Sequence, residues 1–383
     1  MPYDATQHAV SPSLWALAWK RLMGDRVAMV SLAIVVAFLA LMVLSGTGLI
    51  AKDWAKETGI NYAPPSFLGG DLERAAPAAG TPPAPAATAV DKPTELPIKD
   101  PLADALADIR GEKAKPAGAD ATAGESQTVD PLADVMADIR AKGTQAAVVE
   151  ARAPTLPFGG DKWGRDVLRK TIKGSETSIF VGIASAIVAV FLGTVFGAVA
   201  GYYGRWLDDA FNWFYSVFNS IPYLLLILAI AAVLQQKGTL TIILILGLTG
   251  WTGTFRLIRG EYLKHKGREH VQAADAIGAS NARRMFVHIF PNASHVVLVQ
   301  LSILTVAFIK TEVILSFLGF GVPVDVVSWG SMLNEAQNEL ILGKWWQLVA
   351  ATVAMATLVT AFSLFTDALR DALDPKLKGR MGA

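Results

Sequence analysis

The chain has 383 residues, of which 52% are apolar, and its formal net charge at pH 7 is only +1. The near-neutral charge gives no electrostatic basis for binding nucleic acid, and the absence of cysteine excludes disulfides, thiol chemistry and cysteine metal sites in this chain. The apolar residues lie in blocks of about 20, the length an α-helix needs to cross the hydrocarbon of a bilayer. The composition therefore predicts an all-α integral membrane protein.

The first 26 residues are polar to amphipathic and end in three basic residues, Lys20, Arg21 and Arg26. An apolar run follows directly. Signal peptides have an apolar region of about 7–15 residues and a small-residue cleavage site, whereas this run is longer and begins later. We predict a cytoplasmic N-terminal segment at 1–26 and an uncleaved first transmembrane helix at 27–45.

A long polar insertion at 46–172 is expected on the extracytoplasmic side. Its middle is rich in alanine and proline, a composition typical of extended, poorly ordered chain. Two near-copies follow, DPLADALADIR at 100–110 and DPLADVMADIR at 130–140. Each begins with Asp-Pro, as helices often do, and places its apolar residues on one face. These short acidic helices could pair, offer a docking surface, or belong to a solvated insertion.

Residues 173–370 are predicted to form a five-helix permease core, with apolar runs at about 179–202, 210–234, 240–258, 294–317 and 345–365. Pro222 lies inside the second of these runs and should kink it. Residues 319–344 are expected to be a loop, and 371–383 a polar, basic tail. With the first helix, the chain has six predicted spans, so both termini lie on one side.

The cationic segment 259–292, which we call the hook, separates two of the predicted spans. Lys and Arg in short loops favour the cytoplasmic side, whereas long loops carry little information on topology. The opposite short loops contain only Lys237 and Lys344. The hook and both termini are therefore predicted to be cytoplasmic, because the hook and the tail hold these cations: Arg259, Lys264, Lys266, Arg268, Arg283, Arg284, Lys376, Lys378 and Arg380.

Motifs of catalysis are missing from the sequence. It has no Gly-x-x-x-x-Gly-Lys-Ser/Thr phosphate loop, no His-Glu-x-x-His and no Gly-x-Ser-x-Gly, and its five histidines are scattered. We therefore predict no catalytic residue, no metal site, no cofactor bound by this chain and no enzymatic activity. Uphill movement of a solute would need an ion gradient or a partner.

Two features are candidates for a translocation path. Glu312 lies inside a predicted span, where a charge is costly and often functional, and Pro222 should bend another span. The alternative for Glu312 is a position near the outer end of its helix, as expected for Lys310, which can extend its ammonium group to the interface. Asp208 and Asp209 precede a span and are expected to cap its helix.

The hook should contain two short helices separated by a glycine. The first is expected at 269–277, with Ala273, Ala274 and Ile277 forming a small apolar ridge, and Gly278 should end it in the left-handed conformation. The second should run from a cap at Asn281 to a stop at Pro291. Small residues would let a partner approach closely. The alternative is an ordinary cationic loop held by lipid headgroups.

The hook resembles the EAA loop of importer-type ABC transporter permeases. That loop reads Glu-Ala-Ala, three residues, Gly, and then an Ile-x-Leu-Pro ending. Here the corresponding residues are Gln272-Ala273-Ala274, Gly278 and Ile289-Phe290-Pro291, with Gln in place of the usual acid and Phe in place of Leu.

Further segments are similar to the C-type permease subunit of the dipeptide/oligopeptide/nickel importers. They are FGGDKWGRDVLRKTIKGSETSI, with Gly160 where threonine is usual, and then GYYGRWLDDAFNWFYSVFNSIPYLLLILAIA, LSFLGFGVP, SWGSML and DALRDALDP, in the same order as in that family. The resemblance covers both termini and nearly everything from 157 onward. It does not cover roughly 50–150.

The resemblance implies a multi-pass subunit of the bacterial inner membrane that pairs with a second permease. It also implies two ATPase subunits, which bind ATP and Mg²⁺ and dock on the coupling loop, and an extracytoplasmic solute-binding protein. The substrates would be peptides or related small solutes, nickel complexes included. The alternative class is a gradient-driven secondary transporter or a channel, which favours inverted repeats and several buried carboxylates. The implied coupling residues are Gln272, Ala273, Ala274, Ile277, Gly278 and Pro291.

Overall fold

A computed structural model describes residues 14–68 and 152–373 of the chain. The near-copies at 100–110 and 130–140 lie outside the described residues, as do both ends of the chain. The described part is helical and has isolated β-bridges but no strands. Its helices are α1 (Leu14–Gly24), α2 (Arg26–Gly46), α3 (Val167–Tyr203), α4 (Arg205–Asn219), α5 (Tyr223–Leu234), α6 (Thr239–Thr249), α7 (Thr252–Lys266), α8 (Glu269–Ala276), α9 (Asn281–Phe317), α10 (Trp329–Ile341) and α11 (Trp346–Leu373).

Four described helices, α2, α3, α9 and α11, are long and apolar enough to cross a membrane. Two further pairs of helices pass the same test together but are bent, α4 with α5 by 84° and α6 with α7 by 40°. Counting each bent pair as one span yields six, the number predicted from the sequence. The larger bend lies at Pro222, whose ring prevents the chain from continuing as a helix through 220–222.

Helix α3 lies at the centre of the described bundle and packs closely on α7. Glycines at successive turns of α3 face the α7 backbone. A Cβ atom at Gly197 would lie 2.7 Å from the carbonyl oxygen of Phe255, and one at Gly201 would lie 2.7 Å from that of Arg259. Any larger side chain would force the two helices apart. These glycines therefore hold α3 and α7 in van der Waals contact along several turns.

Two sequence predictions about helix ends are wrong. Residues 319–344 are not simply a loop, because α10 forms there with a reciprocal cap: Ser328 Oγ accepts from the Ser331 backbone, and Ser331 Oγ accepts from the Ser328 backbone. Pro291 does not end a helix either. It sits near the start of a regular α-helical stretch just after a π-helical segment, Arg284–Ile289, where the Phe290 N–H bonds five residues back to Met285. Proline has no N–H to leave unpaired at that position.

The two ends of the long insertion pair with each other. The Ile60 N–H donates to the Ala153 carbonyl over 3.0 Å, and the Ser66 N–H donates to the Leu156 carbonyl over 2.8 Å. Trp346 anchors this folded segment to α11, since its Nε1 donates to the Gly160 carbonyl over 2.7 Å. The insertion predicted at 46–172 thus begins and ends in structure that belongs to the helical unit.

Deleting residues 75–150 and joining the ends is expected to leave the helical unit folded and inserted. The two segments that flank 69–151 are hydrogen-bonded to each other, so the deletion leaves these bonds in place and shortens the connection between them, which lowers the entropic cost of closing it. Membrane insertion and thermal stability of the deletion variant would be compared with those of the intact chain. A matched deletion of 57–66, which removes the pairing itself, should destabilise the protein. Loss of insertion on removing 75–150 would contradict the expectation.

Candidate functional site

The hook folds back on itself between α7 and α9. Helix α7 ends at Lys266, and α8 (Glu269–Ala276) follows after a two-residue turn. Gly278 has φ +79°, a left-handed conformation that favours glycine. The Gly278 N–H donates to the Asp275 carbonyl, and the Ala279 N–H donates to the Ala274 carbonyl, each over 2.9 Å. This is the Schellman pattern that ends a helix at a glycine, as the sequence predicts for Gly278.

One face of α8 is packed against the helices that flank it. Val271 and Ala274 are each 3% exposed, and Val271 belongs to a buried cluster with Tyr262, Met285 and Ile289. The Tyr262 hydroxyl donates to the Met285 carbonyl over 3.2 Å, which fixes α7 to the π-helical segment. The position of α8 is therefore set by apolar contacts with both neighbouring helices.

The other face of α8 is open. Ile277 is 85% exposed, and Gln272 and Ala273 are also exposed. The structure therefore divides the apolar ridge expected from the sequence, because Ala274 points into the protein while Ala273 and Ile277 point outward. The Gln272 amide makes a weak local contact, its Nε2 donating to the Gly267 carbonyl over 3.4 Å.

Polar contacts tie the hook to the end of α3. The Tyr202 hydroxyl donates to Asn281 Oδ1 over 3.0 Å, and Lys266 Nζ donates to the Tyr202 carbonyl over 2.6 Å. Within the hook, Arg284 forms an ion pair with Asp275. These contacts join α3, α7, α8 and the start of α9, so a displacement of α8 would move the end of α3 as well.

A bidentate ion pair that the sequence did not predict lies at the start of the hook. Arg259 Nε and Nη2 donate to the two carboxylate oxygens of Asp208 over 2.5 and 2.6 Å. Asp208 was expected to cap a helix, but the N-cap of α4 is Gly204, and no side chain bonds there. Asp208 lies on α4 and Arg259 on α7, far apart in the chain, so no local sequence pattern predicts the pair. The two residues meet because α4 packs against α7.

The two candidate path residues lie in different surroundings. Glu312 is 0% exposed and accepts from Ser316 Oγ over 2.7 Å within the packed interior. Pro222 is exposed at the bend between α4 and α5. Lys310 is exposed as well. In this conformation Glu312 therefore contributes to the interior of the subunit, and only Pro222 faces outward.

The fold and the hook define a class of protein: a multi-pass helical membrane component that presents a short helix, firmly packed on one side and bare on the other. Residues 193–379 match the family of binding-protein-dependent transport system inner membrane components, and residues 13–65 match the N-terminal transmembrane domain of oligopeptide transport permease C.

Three curated relatives show the same assignment. The chain is 37% identical over 221 residues to the dipeptide transport system permease protein DppC of Bacillus subtilis, covering 58% of this chain and 69% of that one. It is 36% identical to the oligopeptide transport system permease protein OppC of Bacillus subtilis, covering 58% and 72%. It is 33% identical to the glutathione transport system permease protein GsiD of Pectobacterium atrosepticum, covering 58% and 73%.

The chain therefore belongs to the permease family of binding-protein-dependent ABC importers, in its C-type branch. It is a multi-pass membrane component of such a system. The first matched region ends at 65 and the second begins at 193, so the insertion at 69–151 lies between the regions that define the family.

Proposed function

We propose that the chain forms half of a membrane path through which peptides or related small solutes enter the cell. A second permease subunit would supply the other half. The named functions of the relatives support this substrate class, since they are permeases for dipeptides, oligopeptides and glutathione. All three of these substrates consist of residues joined by peptide bonds, so the peptide bond is the chemical feature that they share.

The hook is proposed as the site where one of two ATPase subunits docks. The observation that carries this proposal is Ile277, an isoleucine 85% exposed on a helix whose opposite face is packed. An exposed apolar side chain beside the small residues Ala273 and Ala276 fits a shallow groove on a partner. The ATPases would bind ATP and Mg²⁺, and this chain would contribute no cofactor site and no catalytic group.

The orientation we propose places the hook and both termini in the cytoplasm. It is supported by the concentration of Lys and Arg in the hook and the tail, compared with Lys237 and Lys344 on the opposite side. The folded segment formed by 47–68 and 152–166, together with α10, would then face outward. That face is the proposed contact for an extracytoplasmic solute-binding protein.

The contacts of the hook suggest how docking would drive transport. When the ATPases close on ATP, α8 would be displaced, and its ties to Tyr202, Tyr262 and Met285 would carry the motion to α3 and α7. Because α3 and α7 meet backbone to backbone at the glycines, the pair would move as one body. The path would then open alternately to the two sides.

Replacing Ile277 with aspartate is expected to abolish association with the ATPase, because a carboxylate in an apolar groove would be desolvated without a partner. The tagged chain would be purified from its native membranes, and the ATP hydrolysis that co-purifies would be measured. Val324→Asp is the matched control, since Val324 is 98% exposed in the loop before α10, on the opposite face. Undiminished co-purification of ATPase with Ile277→Asp would refute docking at this face.

A further inference from the structure

A buried ionic cluster, which we call the outer ionic cluster, lies where the folded segment 152–166, α3, α10 and α11 meet. At its centre, Lys170 Nζ donates to Asp161 Oδ2 over 2.7 Å, to Glu335 Oε2 over 2.6 Å and to Gln347 Oε1 over 3.3 Å. Lys170 is 1% exposed and Asp161 is 0% exposed. The fifth member of the cluster is Glu339, also on α10 and 1% exposed.

The cluster contains one ammonium group and three carboxyl groups. Asp161 uses its second oxygen to accept the N–H groups of Trp163 and Arg165 over 2.9 and 3.0 Å, and Glu335 is partly exposed to water. Glu339 is the least satisfied of the three. Its Oε1 accepts only the Lys162 N–H, over 3.1 Å, and its buried Oε2 has no hydrogen-bond partner.

Three cations near the cluster have their charged groups over tryptophan rings and not on Glu339, at 5.3 Å for Lys162 over Trp163, 5.4 Å for Arg165 over Trp54 and 5.5 Å for Lys344 over Trp346. A second or third ionised carboxylate beside the single Lys170 would therefore be an excess negative charge in a buried site, which is costly.

This environment changes the acidity of Glu339. Burial raises the pKa of its carboxyl from 4.5 to about 7, although Lys170 and the hydrogen bond from Lys162 act in the opposite direction and Asp161 and Glu335 add to the rise. The group therefore titrates close to neutral pH, whereas an exposed glutamate at the same place would be ionised throughout that range.

We infer that Glu339 is a proton-binding site that controls how firmly α10 is held against the folded segment 152–166. With the proton bound, the Glu339 carboxyl is uncharged and the junction stays closed. Loss of the proton leaves a buried charge that is relieved when α10 moves outward and water reaches the carboxylate. The proposed outward face of this junction rests on the orientation given above, but proton binding itself does not depend on that orientation.

The linkage between protonation and opening fixes the size and direction of the effect. Because the pKa of Glu339 is raised in the closed state, the closed state binds the proton more tightly than the open state does. The free-energy difference that favours the closed state therefore falls as the pH rises from 4.5 to about 7. If the open state has the ordinary value, the equilibrium constant for opening rises about tenfold between pH 6 and pH 8 and is nearly constant above that.

Hydrogen exchange of the full-length chain in lipid nanodiscs measures this opening. After correction for intrinsic exchange rates, the amides of 159–166 and 328–343 should exchange about tenfold faster at pH 8 than at pH 6. The variant Glu339→Gln should show no such change. Asp325→Asn, an exposed acid in the loop before α10, should behave like the unmodified chain. Equal pH dependence in Glu339→Gln and the unmodified chain would overturn the proposal.

Infrared spectroscopy of the unmodified chain provides a second measurement if Glu339→Gln does not fold. A protonated, buried carboxyl has a carbonyl band separate from that of ionised carboxylates, and this band should disappear between pH 6 and pH 8. A chain with no titrating carboxyl band in this range would also overturn the proposal. Neither experiment uses an ATPase or a binding protein, so failure of the proposed function and failure of this inference remain distinguishable.

Discussion

Replacing Gly278 with valine is expected to lower ATP-driven transport at least about tenfold while leaving membrane insertion intact. A β-branched residue at φ +79° costs about 1–3 kcal/mol, and about 1.4 kcal/mol corresponds to a tenfold change in an equilibrium. A Cβ atom at this position meets no other heavy atom within 4 Å, so the penalty is backbone strain and not a clash. The chain would relieve the strain by unwinding the end of α8, which displaces Ile277.

The control for this prediction is Gly278→Asn. Asparagine adopts the left-handed conformation far more readily than valine, so this variant should retain most of the transport activity. Uptake would be measured in membrane vesicles that contain the complete transporter, with the amount of inserted protein quantified in each sample. Equal activity of the valine and asparagine variants would show that the conformation of Gly278 does not matter for coupling.

Breaking the ion pair between Asp208 and Arg259 should produce the second large effect. Hydrogen bonds to charged groups contribute about 1.5–3 kcal/mol, and both side chains are mostly buried, so each single charge reversal leaves an unpaired charge beside a like charge. We expect Asp208→Arg and Arg259→Asp each to reduce transport about tenfold or more, because α4 would separate from α7 where the hook begins.

The exchanged pair, Asp208→Arg combined with Arg259→Asp, should recover part of the lost activity, because the attraction is restored with opposite polarity. Asp209→Asn is the matched single control, since Asp209 is the exposed neighbour of Asp208 and makes no such pair. Transport by the double variant no better than that of the worse single variant would show that the pair does not act by joining the two helices.

Several elements of the fold follow from local sequence. The first span was predicted at 27–45 and forms at Arg26–Gly46, where the Asp25 carboxylate accepts from the Val27 and Ala28 backbone. The break at Gly278 followed from its position after a short helix, and the bend at Pro222 followed from the chemistry of proline. These features depend on residues close together in the chain, so their physical causes are visible in one short stretch.

The errors have equally specific causes. Pro291 was expected to stop a helix, but a π-helical turn just before it changes the hydrogen-bond register. The segment 319–344 was expected to be a loop, yet Ser328 and Ser331 cap a helix that buries Trp329. Ala274 was expected beside Ala273 and Ile277 on an outward ridge, and the rotation of α8 about its axis placed it inside.

The sequence by itself determined the class of protein, the positions of its apolar helices, the glycine break in the hook and the family resemblance. Each of these depends on hydrophobic block length, charge distribution or a contiguous motif. Only the tertiary structure decided which face of α8 is free, that Asp208 meets Arg259, and that Glu339 is buried with one carboxyl oxygen lacking a hydrogen-bond partner. These facts arise from contacts between residues far apart in the chain. Burial and pairing at such positions depend on how helices cross, and a linear pattern does not contain that information.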